Sequence, residues 1–414
     1  MIDFVKFSLR NGLRILVHED RSTPLSALNL LYGVGSRDED PEMTGIAHLL
    51  EHLMFCGTEN VPVFDRPLQM AGGENNAFTN NDITNYYLTV PADNIETGFW
   101  LESDRMNGIN FSRDALDVQK KVVIEEFKQR YLNQPYGDSQ LLLRPLAYTT
   151  HHYKWPTIGK SISHIESIEP EHARDFFYRH YAPGNAILTV SGNISPDRVF
   201  KLADKWFGPL EKRTTRPQVI PAEPFQTEER NLIVERDVPV DALYKAWHIC
   251  GRKEDDFFTF DLLSDLLAGG ESGRLHSKLV RDKNLFSDIN AYISSDIDPG
   301  LLVIHGKLMK GVTITEAEEN VRMVVDELKS GIISDEEMEK VKNRFESSHV
   351  ISNTSILNKA MNISYYELLG NPGLINLEVE RYRAVSREMV RDAAIKYLNN
   401  NNSSTLHYLS KNRN

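Results

Sequence analysis

A proline-rich stretch near the middle of the chain, LEKRTTRPQVIPAEPFQTEERN (residues 210–231), restricts the possible folds more than any other segment. Pro217, Pro221 and Pro224 stand there among charged residues. Each proline fixes φ and lacks a backbone N–H, so neither a helix nor an internal strand can run through it. The stretch therefore reads as an extended connector at 211–231, separating residues 1–210 from 232–414. A chain of 414 residues also exceeds one ordinary core.

The two halves repeat one another in order. In the first, the apolar strand pattern LSALNLLYGVGSRDED leads into a helix; after a glycine pair come two strand-like runs in NNAFTNNDITNYYLTVP, then helices ending in DALDVQKKVVIEEFKQRYLN. In the second, VDALYKAWHICGRKEDD leads into the helix FFTFDLLSDLLAGG. Strand patterns in SDINAYISSDIDPGLLVIHGKL follow, then the helices TEAEENVRMVVDELKSG and SDEEMEKVKNRFESSHVIS. Strands alternating with segregated helices predict an α+β fold: two similar domains, each a mostly antiparallel sheet packed under a layer of helices. The opening MIDFVKFSLRNGLRILVHED alternates, turns at Asn11-Gly12 and alternates again, as structured protein does and a signal peptide does not. The tail LNNNNSSTLHYLSKNRN reads as a turn, a last strand and a frayed end.

Bulk properties exclude several functions. No apolar run approaches the roughly 18–20 residues of a membrane-spanning helix. A net charge of −12, without any concentration of Lys and Arg, argues against nucleic acid as a partner. Cys56 and Cys250 are too few and too far apart for a disulfide framework or a Cys metal site, so a reducing, cytoplasmic location is expected. The glycines of LAGGESGRLHSKLV lack the GxxxxGK[ST] pattern and follow a helix, which excludes a phosphate loop.

Against that background, GIAHLLEHLMFCGT (45–58) places two histidines and a glutamate in an otherwise apolar helix. With Thr44 as N-cap and Gly57 as stop, His48, Glu51, His52 and Phe55 fall on one stripe, opposite Ile46, Leu49, Leu50 and Leu53. His48 and His52 are one turn apart, which lets both imidazoles converge on one zinc ion. Glu51 projects beside them, where a general base for water would stand. A third ligand must come from elsewhere, and the helix DALDVQKKVVIEEFKQRY offers Glu125 and Glu126. Glu126 shares its face with Val122, Val123 and Phe127, the apolar side; Glu125 shares one with Val118, Lys121 and Gln129, which can stay solvated. An inward carboxylate requires a compensating charge, so Glu126 is the candidate. The adjacent His151 and His152 of THHYKWP diverge in any regular structure and read as packing residues.

GIAHLLEH followed about 74 residues later by VVIEEF, together with YGVGSRDE and GGENNAFTNNDITNYY, resembles the pitrilysin (insulinase) family of zinc peptidases. The likeness is nearest to half-length members related to the β-subunit of mitochondrial processing peptidase. It implies one Zn²⁺ per chain on His48, His52 and Glu126, with Glu51 as catalytic base. It further implies that Asn76, Ala77 and Phe78 offer an edge strand to an unfolded peptide substrate, inside a hollow clamshell of two chains.

Two positions depart from the family pattern. A glutamate that often supports the metal site from behind is replaced by Gln119, which can orient a histidine but adds no charge. An Arg and a Tyr that active members use to stabilise the tetrahedral intermediate are replaced by Val280 and Ser287, with Arg281 one residue out of place. A homodimer would lack that pair, so the expected partner is a homologous subunit that supplies it, making a heterodimer. The expected function is thus zinc-dependent hydrolysis of unfolded peptides. The alternatives are a non-catalytic assembly subunit of the same fold and a peptide-binding module with structural zinc.

Overall fold

In the computed structural model, residues 1–213 and 219–411 are described. Residues 214–218, including Pro217 of the expected connector, and the last three residues of the expected frayed end lie outside them. Among the described residues no helix is long and apolar enough to cross a membrane.

The chain forms two compact units, each with its own sheet. The first sheet comprises β1 (Val5–Ser8), β2 (Arg14–Glu19), β3 (Leu25–Tyr32), β4 (Glu74–Thr79), β5 (Thr84–Pro91) and β6 (Ala186–Gly192), in the order β1-β2-β6-β3-β5-β4. The second comprises β7 (Arg230–Arg236), β8 (Ala242–His248), β9 (Phe286–Ile293), β10 (Leu301–Leu308) and β11 (Ser403–Ser410), in the order β7-β11-β8-β10-β9. Within each sheet one pair is parallel, β2 with β6 and β7 with β11, and the other pairs are antiparallel. The order β7-β11-β8-β10-β9 thus repeats β2-β6-β3-β5-β4 strand for strand, and the repeat read from the sequence is a repeat of topology.

The units are not the contiguous halves 1–210 and 232–414. Residues 128–154 belong to the second unit and residues 350–377 to the first. Packing gives the reason. The helix Ile356–Leu369 places Ile363 and Tyr366 against Leu16, Leu31 and Ile187 of the first sheet. Its Ser364 hydroxyl accepts from Asn29 and donates to Thr189 on that face. On the other face, the helix Ile95–Asn107 seats Gly98 against Leu28 and Leu88, so β3 is buried on both sides and is apolar almost throughout. In the second unit, Leu143 and Ala147 of the helix Ser139–Ala147 pack with Tyr244, Val303 and Leu406. Each half of the sequence therefore lends one helix to the sheet of the other.

The second unit carries two carboxylates whose charge is tied to its stability. Burial alone would raise the Glu318 carboxyl, but hydrogen bonds from His407 and Lys245 outweigh it and hold it at about 2. The Arg274 guanidinium holds Glu337 at about 2. Both values lie below the ordinary 4.5, so the folded state binds fewer protons than the unfolded one between them. The stabilisation is complete above pH 4.5 and is lost as pH falls towards 2. Denaturant titrations across that interval should show a loss of about 1–3 kcal/mol for each carboxylate, and Glu318→Gln should flatten the slope.

Candidate metal centre

The first unit brings three of the sequence-predicted residues together. α1 (Ile46–Leu53) buries Ile46, Ala47, Leu49, Leu50 and Leu53, the face the helical period assigns to the core. That leaves His48, Glu51 and His52 half-buried on the other side. α2 (Arg113–Phe127) buries Leu116, Val123 and Phe127 and turns Glu126 towards the two imidazoles. Nε2 of His48 lies 3.8 Å and Nε2 of His52 3.5 Å from Oε2 of Glu126. The ligand atoms of the three residues all fall within 4.8 Å of one another, the one such group of His, Cys, Asp or Glu among the described residues. Ligands about 2.0–2.1 Å from a tetrahedral zinc stand about 3.3 Å apart. Two neutral imidazoles and one carboxylate at these separations fit that ion after small side-chain rotations. Glu125, its neighbour on α2, is exposed. Val122 is exposed too, not inward as its placement beside Glu126 had suggested, so the buried face of α2 is narrower than the sequence indicates.

What anchors α1 differs from expectation. The helix begins at Gly45, and Thr44 does not cap it. The Thr44 hydroxyl instead accepts from the Lys160 amide and meets His164. The cap is Glu39, fully buried, whose Oε2 accepts the Gly45 N–H and Oε1 the Ala47 N–H, each at 2.9 Å. The Trp155 indole N–H also donates to Oε2 at 3.0 Å. Burial pushes the Glu39 carboxyl up to about 8, against the pull of these donors. Gly45 has φ +93°, and a Cβ there would lie 2.6 Å from the Ile158 carbonyl oxygen, so only glycine fits. At the other end the helix stops at Leu53, before Gly57. Sequence reading missed Glu39 as a cap because it sits outside the capping-box spacing; the acidic run SRDE ahead of an apolar helix was the available signal.

β4 is the last strand of its sheet, so one of its edges has no strand beside it among the described residues. Asn76 and Phe78 are exposed and Ala77 is half-buried. The Asn76 side-chain oxygen accepts the Ala77 N–H at 2.8 Å, so a peptide added at this edge must take over that donor. At the end of the strand, the Thr79 hydroxyl donates to Oε2 of Glu51.

Gln119 does not orient a histidine: its amide donates to Sγ of Cys56 at 3.1 Å. Burial raises the Cys56 thiol and this contact lowers it. In the second unit, Val280 is partly buried against the core while Arg281 is exposed and bonded to Asp282 and Ser277. Ser287 is exposed on β9, donating to Asp288 and the Lys307 carbonyl. His151 and His152 are buried, and the Nδ1 of His151 accepts the Tyr153 N–H.

Comparison with known proteins adds to this geometry. The family described as Insulinase (Peptidase family M16) matches residues 14–153, and the Peptidase M16 inactive domain matches residues 167–345. The zinc protease PqqE of Helicobacter pylori is 30% identical over 341 residues, 81% of this chain and 77% of that one. The crystal structure of a protease from Helicobacter pylori has a TM-score of 0.93 at 26% identity, covering 99% of this chain and 100% of the other. The periplasmic protease PqqL from Escherichia coli shares the fold at 17% identity with a TM-score of 0.80, all of this chain matching 48% of that longer one.

Proposed function

The chain belongs to the insulinase (M16) family of peptidases, and from that premise we propose that it is a zinc-dependent endopeptidase acting on unfolded peptides. The observation that carries the proposal is the convergence of His48, His52 and Glu126 beside a glutamate on the same helix. Zinc held by those three residues would supply Lewis acidity, polarising a peptide carbonyl and acidifying water. Glu51 takes the proton of the attacking water and passes it to the leaving amine. β4 holds the substrate: an extended peptide adds at its edge, and the backbone groups of Asn76, Ala77 and Phe78 pair with it whatever its side chains. Unfolded chains present such a backbone and folded proteins do not, which sets the substrate class.

The partner is a homologous chain. With Val280 and Ser287 at the positions expected for Arg and Tyr, this protein has neither the guanidinium nor the phenol there to stabilise a developing oxyanion, and the Ser287 hydroxyl is engaged by Asp288 and the Lys307 carbonyl. The match of PqqL to this chain over about half its length supports a two-part assembly. Purified alone, the protein should bind zinc yet cleave unfolded peptides slowly; with the partner that supplies the pair, turnover should rise. Efficient cleavage by the isolated chain would refute the heterodimer.

The similarity of residues 167–345 to a domain described as inactive keeps one other reading in view, a non-catalytic assembly subunit. Glu51→Gln separates the two. In the peptidase it keeps stoichiometric zinc by metal analysis and slows turnover about 10²–10⁴-fold. In an assembly subunit it changes nothing. A gently purified protein without zinc would overturn the proposal outright.

A further inference from the structure

The Thr79 hydroxyl has no place in the reading above, yet it donates to Oε2 of Glu51. Thr79 is the last residue of β4, paired with Thr84 across the hairpin that leads into β5, and the two hydroxyl oxygens are 3.5 Å apart. It lies on the inward side of a strand whose other side, Glu74, Asn76 and Phe78, is exposed.

The hairpin tip is itself held. The Asn80 side-chain oxygen accepts the N–H groups of Asp82 and Ile83. The Ser36 and Arg37 amides donate to the Asn80 and Asn81 carbonyls, and Arg37 pairs with Asp82 at 2.8 Å. Gly35 lies so near this tip that a Cβ on it would stand 2.4 Å from the Asn81 carbonyl. The same loop carries Glu39, the cap of α1. One segment, 35–39, therefore braces both the hairpin that bears Thr79 and the helix that bears Glu51.

We propose that Thr79 is a positioning residue for Glu51, fixing the base carboxylate relative to the strand on which the peptide is laid. The inference rests on the peptidase reading above. A glutamate side chain has three rotatable bonds, and a base must be held close to its productive geometry to act. The threonine hydroxyl restricts that freedom through a charge-assisted hydrogen bond. Because the donor belongs to the substrate-binding strand, the peptide backbone and the base share one rigid reference. Correct placement of the scissile bond then does not depend on substrate side chains.

Two measurements test this. The first uses the preparation, alone or with its co-purifying chain, that gives the highest zinc-dependent turnover of an unfolded peptide. Thr79→Val should lower kcat about 10–100-fold with KM within about twofold and zinc content unchanged, and Thr79→Ser should restore most of the loss. The second reads the contact without activity: Thr79→Val should lower the melting temperature in the wild-type background and leave it unchanged beside Glu51→Ala. Wild-type kcat in Thr79→Val, no rescue by serine, or equal melting losses in both backgrounds would overturn the role of Thr79 alone. A zinc-bearing wild-type protein without turnover in any preparation would overturn the peptidase reading and this role with it.

Discussion

Glu126→Gln is expected to empty the metal centre and abolish turnover while leaving the protein folded. The change is nearly isosteric, and α2 stays anchored by Leu116, Val123 and Phe127, which are buried independently of the carboxylate. What is lost is the negative charge and the better donor. Two imidazoles on one helix then remain, one ligand short of the three that catalytic zinc sites use. Loss of a residue that merely supports a ligand costs about 10–100-fold in metal affinity, so loss of the ligand itself should cost more than about 100-fold. Competition with a chromophoric chelator measures this directly. Zinc should also raise the melting temperature of the wild-type protein and not that of Glu126→Gln, because only a state that binds the ion is stabilised by it. Glu125→Gln is the control: the adjacent side chain is exposed and lies outside the metal-ligand group, and its substitution should leave zinc affinity and turnover as they are. If Glu125→Gln emptied the site and Glu126→Gln did not, the helical face assigned to the ligand would be wrong.

How much of this was legible in the sequence follows the range over which each interaction acts. The strands around Leu25–Tyr32, Thr84–Pro91 and Ala242–His248 appear where the apolar runs end in turn residues, because those signals are local. His48, Glu51 and His52 were legible because one helical period fixes their mutual placement, and Glu126 because its neighbours Val123 and Phe127 belong to the core. The exchange of the helices Ser139–Ala147 and Ile356–Leu369 was not legible. An amphipathic pattern shows that a helix has an apolar face, not which sheet that face covers. The same limit explains the cap of α1: Thr44 has the right residue type at the right place, but Lys160 and His164, more than a hundred residues away, engage it instead. The Thr79–Glu51 bond likewise joins a strand end to a helix, and no spacing rule connects them.

Glu39→Ala should strongly destabilise the first unit. Alanine leaves the N–H groups of Gly45 and Ala47 without the acceptor that now serves them, in a site closed to water, while the Trp155 indole keeps only the Ser36 carbonyl. Buried donors left unsatisfied cost about 1–3 kcal/mol each when nothing relaxes. A lost helix cap alone costs about 1 kcal/mol, and the vacated volume adds a cavity. Partial relaxation brings the expected total to about 3 kcal/mol, read as a shift of the denaturation midpoint. The pH dependence gives a second signature. Burial places the Glu39 carboxyl at about 8 in the folded protein against an ordinary value of 4.5, so folding favours its protonated form. Its contribution is therefore complete below pH 4.5 and declines as pH rises through 8. The deficit of Glu39→Ala should accordingly be widest near pH 5 and narrow by a few kcal/mol towards pH 9. A deficit that widened over the same interval would mean that the cap works as a fixed negative charge at the helix N-terminus, with the dipole outweighing desolvation. Glu39→Gln, which keeps one acceptor oxygen and cannot ionise either, should lose less stability at pH 5 and show the same narrowing, because the titrating group is the wild-type carboxyl. Since α1 carries both histidines and the base, Glu39→Ala should also weaken zinc binding, whereas Glu318→Gln in the other unit should not.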